Sequence, residues 1–267
     1  MFNAIYFTYD GVYSGDYGLK IATIDREYVE TTTAFAPTLS MAKGAKSKRF
    51  FYSGIDYEDS PEHQFSILSE DAITGTQKRE ILSWLTGRNG FRKLYIHQAE
   101  YDDVYFNCIF KNVDIIYVGG QCHGFTVTAK FDSIYCYGTP TEVVKNLGEG
   151  STISVTIHNE SDVLDDYVYP IVEFDTDIEI KNNSDNGRVT KYTSKRIIEA
   201  DGSESVVNEK VTIDNELKII EGTYGGDKLS NLNEFRWLRL KKGANKLEIT
   251  GKGQVTIICP KYILLGF

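Results

Sequence analysis

Positive charge is what this chain most lacks: 29 Lys and Arg stand against 38 Asp and Glu, for a formal net charge of −9. A protein that grips a phosphate backbone needs a Lys/Arg-rich face from which counterions are released, so nucleic-acid binding as the main task is excluded. No apolar run approaches the ~20 residues of a membrane-spanning helix, which excludes an inserted helix. The opening MFNAIYFTYDG has no basic stretch followed by an apolar one, so Sec-type export is not expected. The four histidines, His63, His97, His123 and His158, are scattered. Neither an H-E-x-x-H nor a Ser–His–Asp spacing is present, so no catalytic residue is expected. Cysteine is equally sparse, and Cys108, Cys122, Cys136 and Cys259 include no C-x-x-C pair. A metal set of Cys108, Cys122, His123 and Cys136 is conceivable, but buried, reduced strand thiols are the expected outcome. No metal or cofactor residue is expected either.

What is present is material for strands. The chain carries 18 Tyr and 14 Phe, with 23 Gly for turns and only 5 Pro, and its 267 residues suit two ordinary domains. The fold class expected is mostly β. In AIYFTYDGVYSGDYGLKIATI, Asp10-Gly11 and a second glycine turn separate alternating runs, which predicts a strand, a tight loop and a strand. AKGAKSK, from Ala42 to Lys48, has nothing apolar to bury and predicts an exposed, flexible hairpin or arm.

Between Thr74 and Leu85 the apolar period lengthens from two to three or four: Ile81, Trp84 and Leu85 share one helical face, and Thr74 or Thr76 can cap its start. Gly87 stands where a left-handed C-cap glycine belongs, and Asn89-Gly90 turns the chain into FRKLYI. The basic GRNG of this stretch has the look of a phosphate or RNA loop. It follows a helix C-terminus, however, where the dipole repels an anion, and it leads to a strand rather than a second helix. A helix-to-strand corner is expected. Strands then follow as RKLYIH, VYFNCIF, VDIIYVGG and GFTVTAKFDSIYCYG, with Val104, Phe106, Cys108 and Phe110 on one side.

Alternation lapses around Gly138 to Gly150, which divides the chain into domains of residues 1–138 and 139–267. The second half reads as a β-sandwich without a clear helix, and its last run is expected as a strand, a G-K-G turn and another strand. Glu173, Asp175, Asp177 and Glu179 alternate, so one strand would set all four carboxylates on one face, with Phe174, Ile178 and Ile180 on the other. Neighbours about 6.5–7 Å apart approach glycosidase spacing, but one strand does not make a cleft, and a solvated or salt-paired face is expected. In FRWLRLKKG, period two sends Leu238 and Leu240 inward and turns Trp237, Arg239 and Lys241 outward. Those three are the candidate contacts for a partner protein or a glycan; the competing reading packs Trp237 under a loop or against the first domain.

Several of these phrases in their order resemble the distal tail (Dit) proteins of siphophages. In the first half they are FTYDGVYSGDYGLKI, a helix ending in WL, RKLYIHQAEYDDVYFNCIF and FTVTAKFDSIYCYG. In the second they are ISVTIHNESD, YPIVEFD and LRLKKGANKLEITGKGQVTI. One departure is Glu160-Ser161-Asp162, where the family has a glycine turn. The resemblance implies a tail-tube-like N-terminal β-sandwich or sheet with one α-helix and a galectin-like C-terminal β-sandwich. It implies a structural virion protein, made in the host cytoplasm, that assembles as a homohexameric ring at the tail tip. The implied partners are the tail tube protein, a tail-associated or tail-tip protein and receptor-binding proteins, with cell-wall glycan as a further contact in some members.

In such a ring DNA would pass without specific binding, past acidic turns such as Asp102-Asp103 and Glu58-Asp59, while Lys46, Lys48 and Arg49 would serve subunit or partner contacts. The alternative reading is a carbohydrate-binding two-domain β protein.

Overall fold

The computed structural model describes residues 6–22, 38–43, 48–49, 51–56, 61–163, 166–198 and 204–264. The chain forms two compact units, the first closing at Tyr137 and the second spanning Gly138–Ile263.

In the first unit β1 (Phe7–Tyr9) and β2 (Val12–Tyr13) pair around Asp10-Gly11, whose φ angles are +50° and +78°. A two-residue hairpin needs two successive left-handed residues, which Gly adopts freely and Asp tolerates. A short 3-10 turn leads to β3 (Lys20–Ala22). The expected hairpin comes next as β4 (Thr38–Ala42) and β5 (Phe51–Asp56), a two-stranded sheet of its own. Its tip at residues 44–47, and with it the flexibility expected there, lies outside the described residues, as do Glu58 and Asp59.

The remaining elements are β6 (Glu62–Leu68), α1 (Gly75–Thr86), β7 (Arg92–Ile96), β8 (Val104–Val118) and β9 (Gln121–Phe131). The strands run antiparallel in the order β3-β6-β9-β8-β7-β1-β2. VYFNCIF and VDIIYV, expected as separate strands, are one. The register shifts between Phe110 and Asn112, so Lys111 is an extra residue in a bulge. The bulge breaks the alternation that had buried Val104, Phe106, Cys108 and Phe110, and to a period-two reading this looks like a strand end.

Helix α1 begins as its sequence predicts. Thr74 Oγ1 accepts from the Gln77 N–H at 3.3 Å and Gln77 Oε1 accepts from the Thr74 N–H at 3.0 Å, a reciprocal capping box. The helix buries Ile81, Trp84 and Leu85. Trp84 is the centre of the contact: its Nε1–H donates to the Tyr9 carbonyl at 2.9 Å, and its ring stacks on Phe7 and Tyr17 with centroids 5.7 and 5.6 Å away. Gly87 is not left-handed, since its φ is −78°. Its lack of a side chain serves proximity instead, because a Cβ there would lie 2.5 Å from the Ser83 carbonyl oxygen. The positive φ belongs to Gly90, at +93°.

The strand β10 (Cys136–Asn159) carries the chain through the division. Alternation lapses there because residues 139–146 have no buried side chain, although the backbone stays extended. After it come β11 (Ile171–Phe174), β12 (Ile178–Asn182), β13 (Arg188–Tyr192), the separate ribbon β14 (Arg196–Ile198) with β15 (Glu204–Val206), β16 (Val211–Asp214), β17 (Ile219–Gly222) and β18 (Gly243–Ile263). The long β18 pairs with β12 through Leu247–Gly251 and with β11 through Val255–Ile258, in one unbroken antiparallel register.

The expected G-K-G turn is therefore not a turn. It lies within β18, opposite an interruption at Asp175–Asp177 that divides the acidic run into two strands. A Cβ on Gly251 would fall 2.8 Å from the Asp177 carbonyl oxygen, so glycine here admits a close backbone approach. The core gathers Val172, Phe174, Ile178, Ile180, Val211, Ile213, Leu247, Ile249, Val255 and Ile257 from these strands.

Candidate functional site

The candidate contacts Trp237, Arg239 and Lys241 lie on either side of an isolated bridge at Leu240, in the irregular stretch 236–242, not in a strand. Period two therefore fails, and consecutive Trp237 and Leu238 both enter the core, Trp237 with 9% of its surface exposed. The outward reading of Trp237 is corrected: it packs into the core of the second unit. What holds this segment is the tight turn between β12 and β13. Asn182 Nδ2 donates to the Arg239 carbonyl at 2.8 Å, Arg188 Nε donates to the Trp237 carbonyl at 3.1 Å, and Asp185 takes the Arg239 guanidinium at 2.7 and 3.3 Å.

The Asp185 side chain is only 2% exposed. Lys241 Nζ stands 4.0 Å from it, the Tyr167 hydroxyl donates to it at 3.4 Å, and the guanidinium covers the Tyr167 ring at 3.8 Å. The hydrogen bond from Arg239 holds the Asp185 carboxyl below its usual range against the opposing effect of burial. Arg239 is thus engaged within its own domain, as a clasp rather than a free cation. Lys241 keeps a half-exposed side chain. Two residues before Trp237, Phe235 is the aromatic that stands out, 59% exposed. The polar neighbours Asn233, Glu234 and Arg236 were the signal that this stretch leaves the sheet.

The acidic face is salt-paired. Glu173 meets Lys210 at 2.8 Å, Asp177 meets Arg196 at 2.5 Å and Glu179 meets Lys191 at 2.9 Å. Asp177 also accepts from the Ser194 N–H at 2.7 Å. Phe174, Ile178 and Ile180 are buried on the opposite side, as expected. Three of the four carboxylates, all but Asp175, have a cation of their own, an arrangement suited to holding strands together rather than to proton transfer.

The GRNG corner has a similar internal use. Arg88 and Arg92 close on Asp10 of the first hairpin at 2.7 and 3.6 Å, joining two turns. The four cysteines are buried and form no disulfide with one another. His123 is turned to the Ser69 carbonyl, with Nδ1 at 3.3 Å, and no metal-holding cluster of His, Cys, Asp and Glu occurs among the described residues. Asp102 and Asp103 are exposed ahead of β8, and Lys48 and Arg49 are exposed beside the first arm.

These ion pairs and hydrogen bonds join turns and strands within each unit. Residues 2–133 match the family described as phage tail protein N-terminal domain, and residues 135–259 match the phage tail C-terminal domain. The chain belongs to this phage tail protein family. Its fold is that of the distal tail proteins. It superposes on the crystal structure of the Dit protein (gp 19.1) of phage SPP1, described as a paradigm of the hub adsorption apparatus in phages infecting Gram-positive hosts. The TM-score is 0.61 at 14% identity, over 96% of this chain and 98% of that one. A chain of the phage p2 baseplate, in its activated conformation with Sr, is similar at a TM-score of 0.52 and 8% identity, over 95% and 96% of the two chains. No curated protein matches the sequence.

Proposed function

We propose that this chain is a distal tail protein of a siphophage, a structural hub at the tail tip rather than an enzyme. The observation that carries this reading is the tandem of phage tail N- and C-terminal domains in one chain, in a fold shared end to end with the SPP1 Dit protein. In this proposal residues 1–138 form a six-fold ring that joins the tail tube to the baseplate and receptor-binding apparatus below, and residues 139–267 project from it. The net charge of −9 suits a ring through which DNA passes without sticking. The expected product of expression is a particle of six times the 30.2 kDa chain mass, alone or on meeting the tail tube protein. Mass photometry tests this, and a strict monomer in both conditions would sink the ring. Titration of the ring with short duplex DNA at low salt tests the passage: tight, salt-sensitive binding would contradict it.

A further inference from the structure

We propose that Asn89 is a site of self-modification by deamidation: in the corner between α1 and β7 its side-chain amide is attacked by the Gly90 main-chain nitrogen and lost as ammonia, leaving aspartate or isoaspartate. The chain has two Asn-Gly steps, Asn89-Gly90 and Asn186-Gly187, and both asparagines are exposed. Glycine as the second residue favours the reaction, because no Cβ shields the attacking nitrogen. What separates the two steps is their backbone.

Ring closure needs the next nitrogen on the same side of Cα as the side chain. Asn186 is left-handed, with φ at +53°, and at the ψ of about +30 to +60° that belongs to this region the Gly187 nitrogen lies nearly opposite Cβ. The turn is also pinned there. The Asp185 N–H donates to the Asn182 carbonyl at 3.1 Å, the Arg188 N–H donates to the Asp185 carbonyl at 3.0 Å, and the Asp185 carboxylate holds Arg239. This step must open before it can react. Asn89 is not left-handed, and among the described residues no backbone–backbone hydrogen bond involves residues 89–91. A Cβ on Gly90 would meet nothing within 4 Å, so the corner has open space in which to turn.

Arg92 adds chemistry to this freedom. Its Nη2 donates at 3.3 Å to the Asn89 carbonyl oxygen, the oxygen of the peptide bond whose nitrogen attacks. When the Gly90 N–H gives its proton to hydroxide, negative charge moves onto that oxygen, and a guanidinium hydrogen-bonded to it favours the ionised form. The Gly90 nitrogen then bonds to Asn89 Cγ, the bond from Cγ to the amide nitrogen breaks, and ammonia leaves with a proton from water. Water opens the resulting cyclic imide at Cγ to give aspartate, or at the main-chain carbonyl to give isoaspartate. The new carboxylate arises beside Arg88 and Arg92, the two cations that close on Asp10.

The test is to age the purified full-length chain in mildly alkaline buffer and follow both steps by peptide mapping, with electron-transfer fragmentation to tell isoaspartate from aspartate. Conversion at Asn89 should run at least about tenfold faster than at Asn186, which waits on local opening of its turn. In denaturant the two rates should converge. Equal rates in the folded chain would overturn the proposal, and so would an order that persisted unchanged in denaturant, since neighbouring side chains rather than the fold would then set it. Arg92→Ala should slow conversion at Asn89 by about two- to fivefold, the size of one exposed charged contact. Added salt, which screens that contact without altering the chain, should slow it in the same direction. A rate indifferent to both would remove Arg92 from the chemistry. Asn89→Gln, whose ring would close with one more atom, should stay unconverted over the same period. Loss of its amide at the asparagine rate would show direct hydrolysis by water and overturn attack by Gly90.

Discussion

The two units bury different chemistry. Among the described residues the first has one buried polar side chain, Ser14, under a core of Phe7, Tyr9, Trp84, Phe106, Phe125 and Phe131. The second buries Asn159, Asn182, Asp185, Glu209, Asn215, Lys228 and Asn245 along with its aliphatic core. These polar side chains have partners in loops. Asn215 joins the Pro170 carbonyl to the Leu238 N–H at 2.6 and 2.7 Å, and Asn245 ties Lys241 and Gly243 together. The first unit is held by area removed from water, a non-directional force that tolerates small shifts. The second is held by directional bonds that fix irregular loops in one geometry, at the risk that each loss leaves a buried group unpaired.

The sharpest way to break this contrast is Lys228→Ala. Glu209 is 1% exposed, and its carboxylate is bound by Lys228 Nζ and by the Tyr224 N–H at 3.1 Å. Removing the cation strands a buried charge and should cost about 3–5 kcal/mol. Amide exchange should rise across the second unit while β6, β8 and β9 stay protected. Trp84→Ala is the counterpart in the first unit, with an expected cost of about 3–5 kcal/mol from lost packing. Trp84→Phe should recover most of it in chemical denaturation, because area rather than the bond to Tyr9 carries the contact. If the phenylalanine variant were as unstable as the alanine one, the first unit would be no less directional than the second.

Asn215→Leu keeps volume but leaves the Pro170 carbonyl and the Leu238 N–H without partners, at about 2–3 kcal/mol. A neutral result by thermal melting would show that water fills the gap and that the loops are not clasped as described.

Acid should separate the units further. The Asp185 carboxyl is depressed in the folded state, first by its hydrogen bond to Arg239, so its contribution is present above the unfolded carboxyl value of about 3.9. It is lost as pH falls through the lower folded value. The second unit should therefore soften below about pH 4, and Asp185→Asn should flatten that dependence in melts recorded across pH. The smallest effect is expected for Glu173→Gln with Asp175→Asn. The Glu173–Lys210 pair is exposed on the lysine side, so stability should change by less than about 1 kcal/mol, and no turnover of cell-wall glycan should appear or vanish.

The contrast also governs what the sequence disclosed. Where apolar pattern and hydrophobic area act together, reading succeeded: the mostly β class, the Asp10-Gly11 hairpin, the capped helix and the inward row from Val104 to Phe110 are all visible in residue order. Where one residue shifts phase or a distant group decides, it failed. Lys111 in its bulge made β8 look like two strands. Gly251 and Gly253 imitate a turn, yet Gly251 is there because the Asp177 carbonyl crosses close by, which no local window contains, and Gly253 because its φ is +88°. Trp237 was placed outward by a period that applies only to strands, and the Asn182, Asp185 and Arg188 side chains that pull its segment out of strand geometry lie about fifty residues earlier. The candidate contacts were legible as a segment, not as orientations.

The four thiols have a bearing on durability. A phage particle spends its existence outside the reducing cytosol, in air and water, with no repair. Burial raises the Cys108 thiol well above its ordinary value and pushes Cys259 up to about 11, and Cys122 and Cys136 are buried as well. Oxidation proceeds through the thiolate and needs access; burial withholds access at all four, and it disfavours the thiolate at Cys108 and Cys259. A tail component built this way is suited to long storage between hosts, because its thiols are shielded from oxidants.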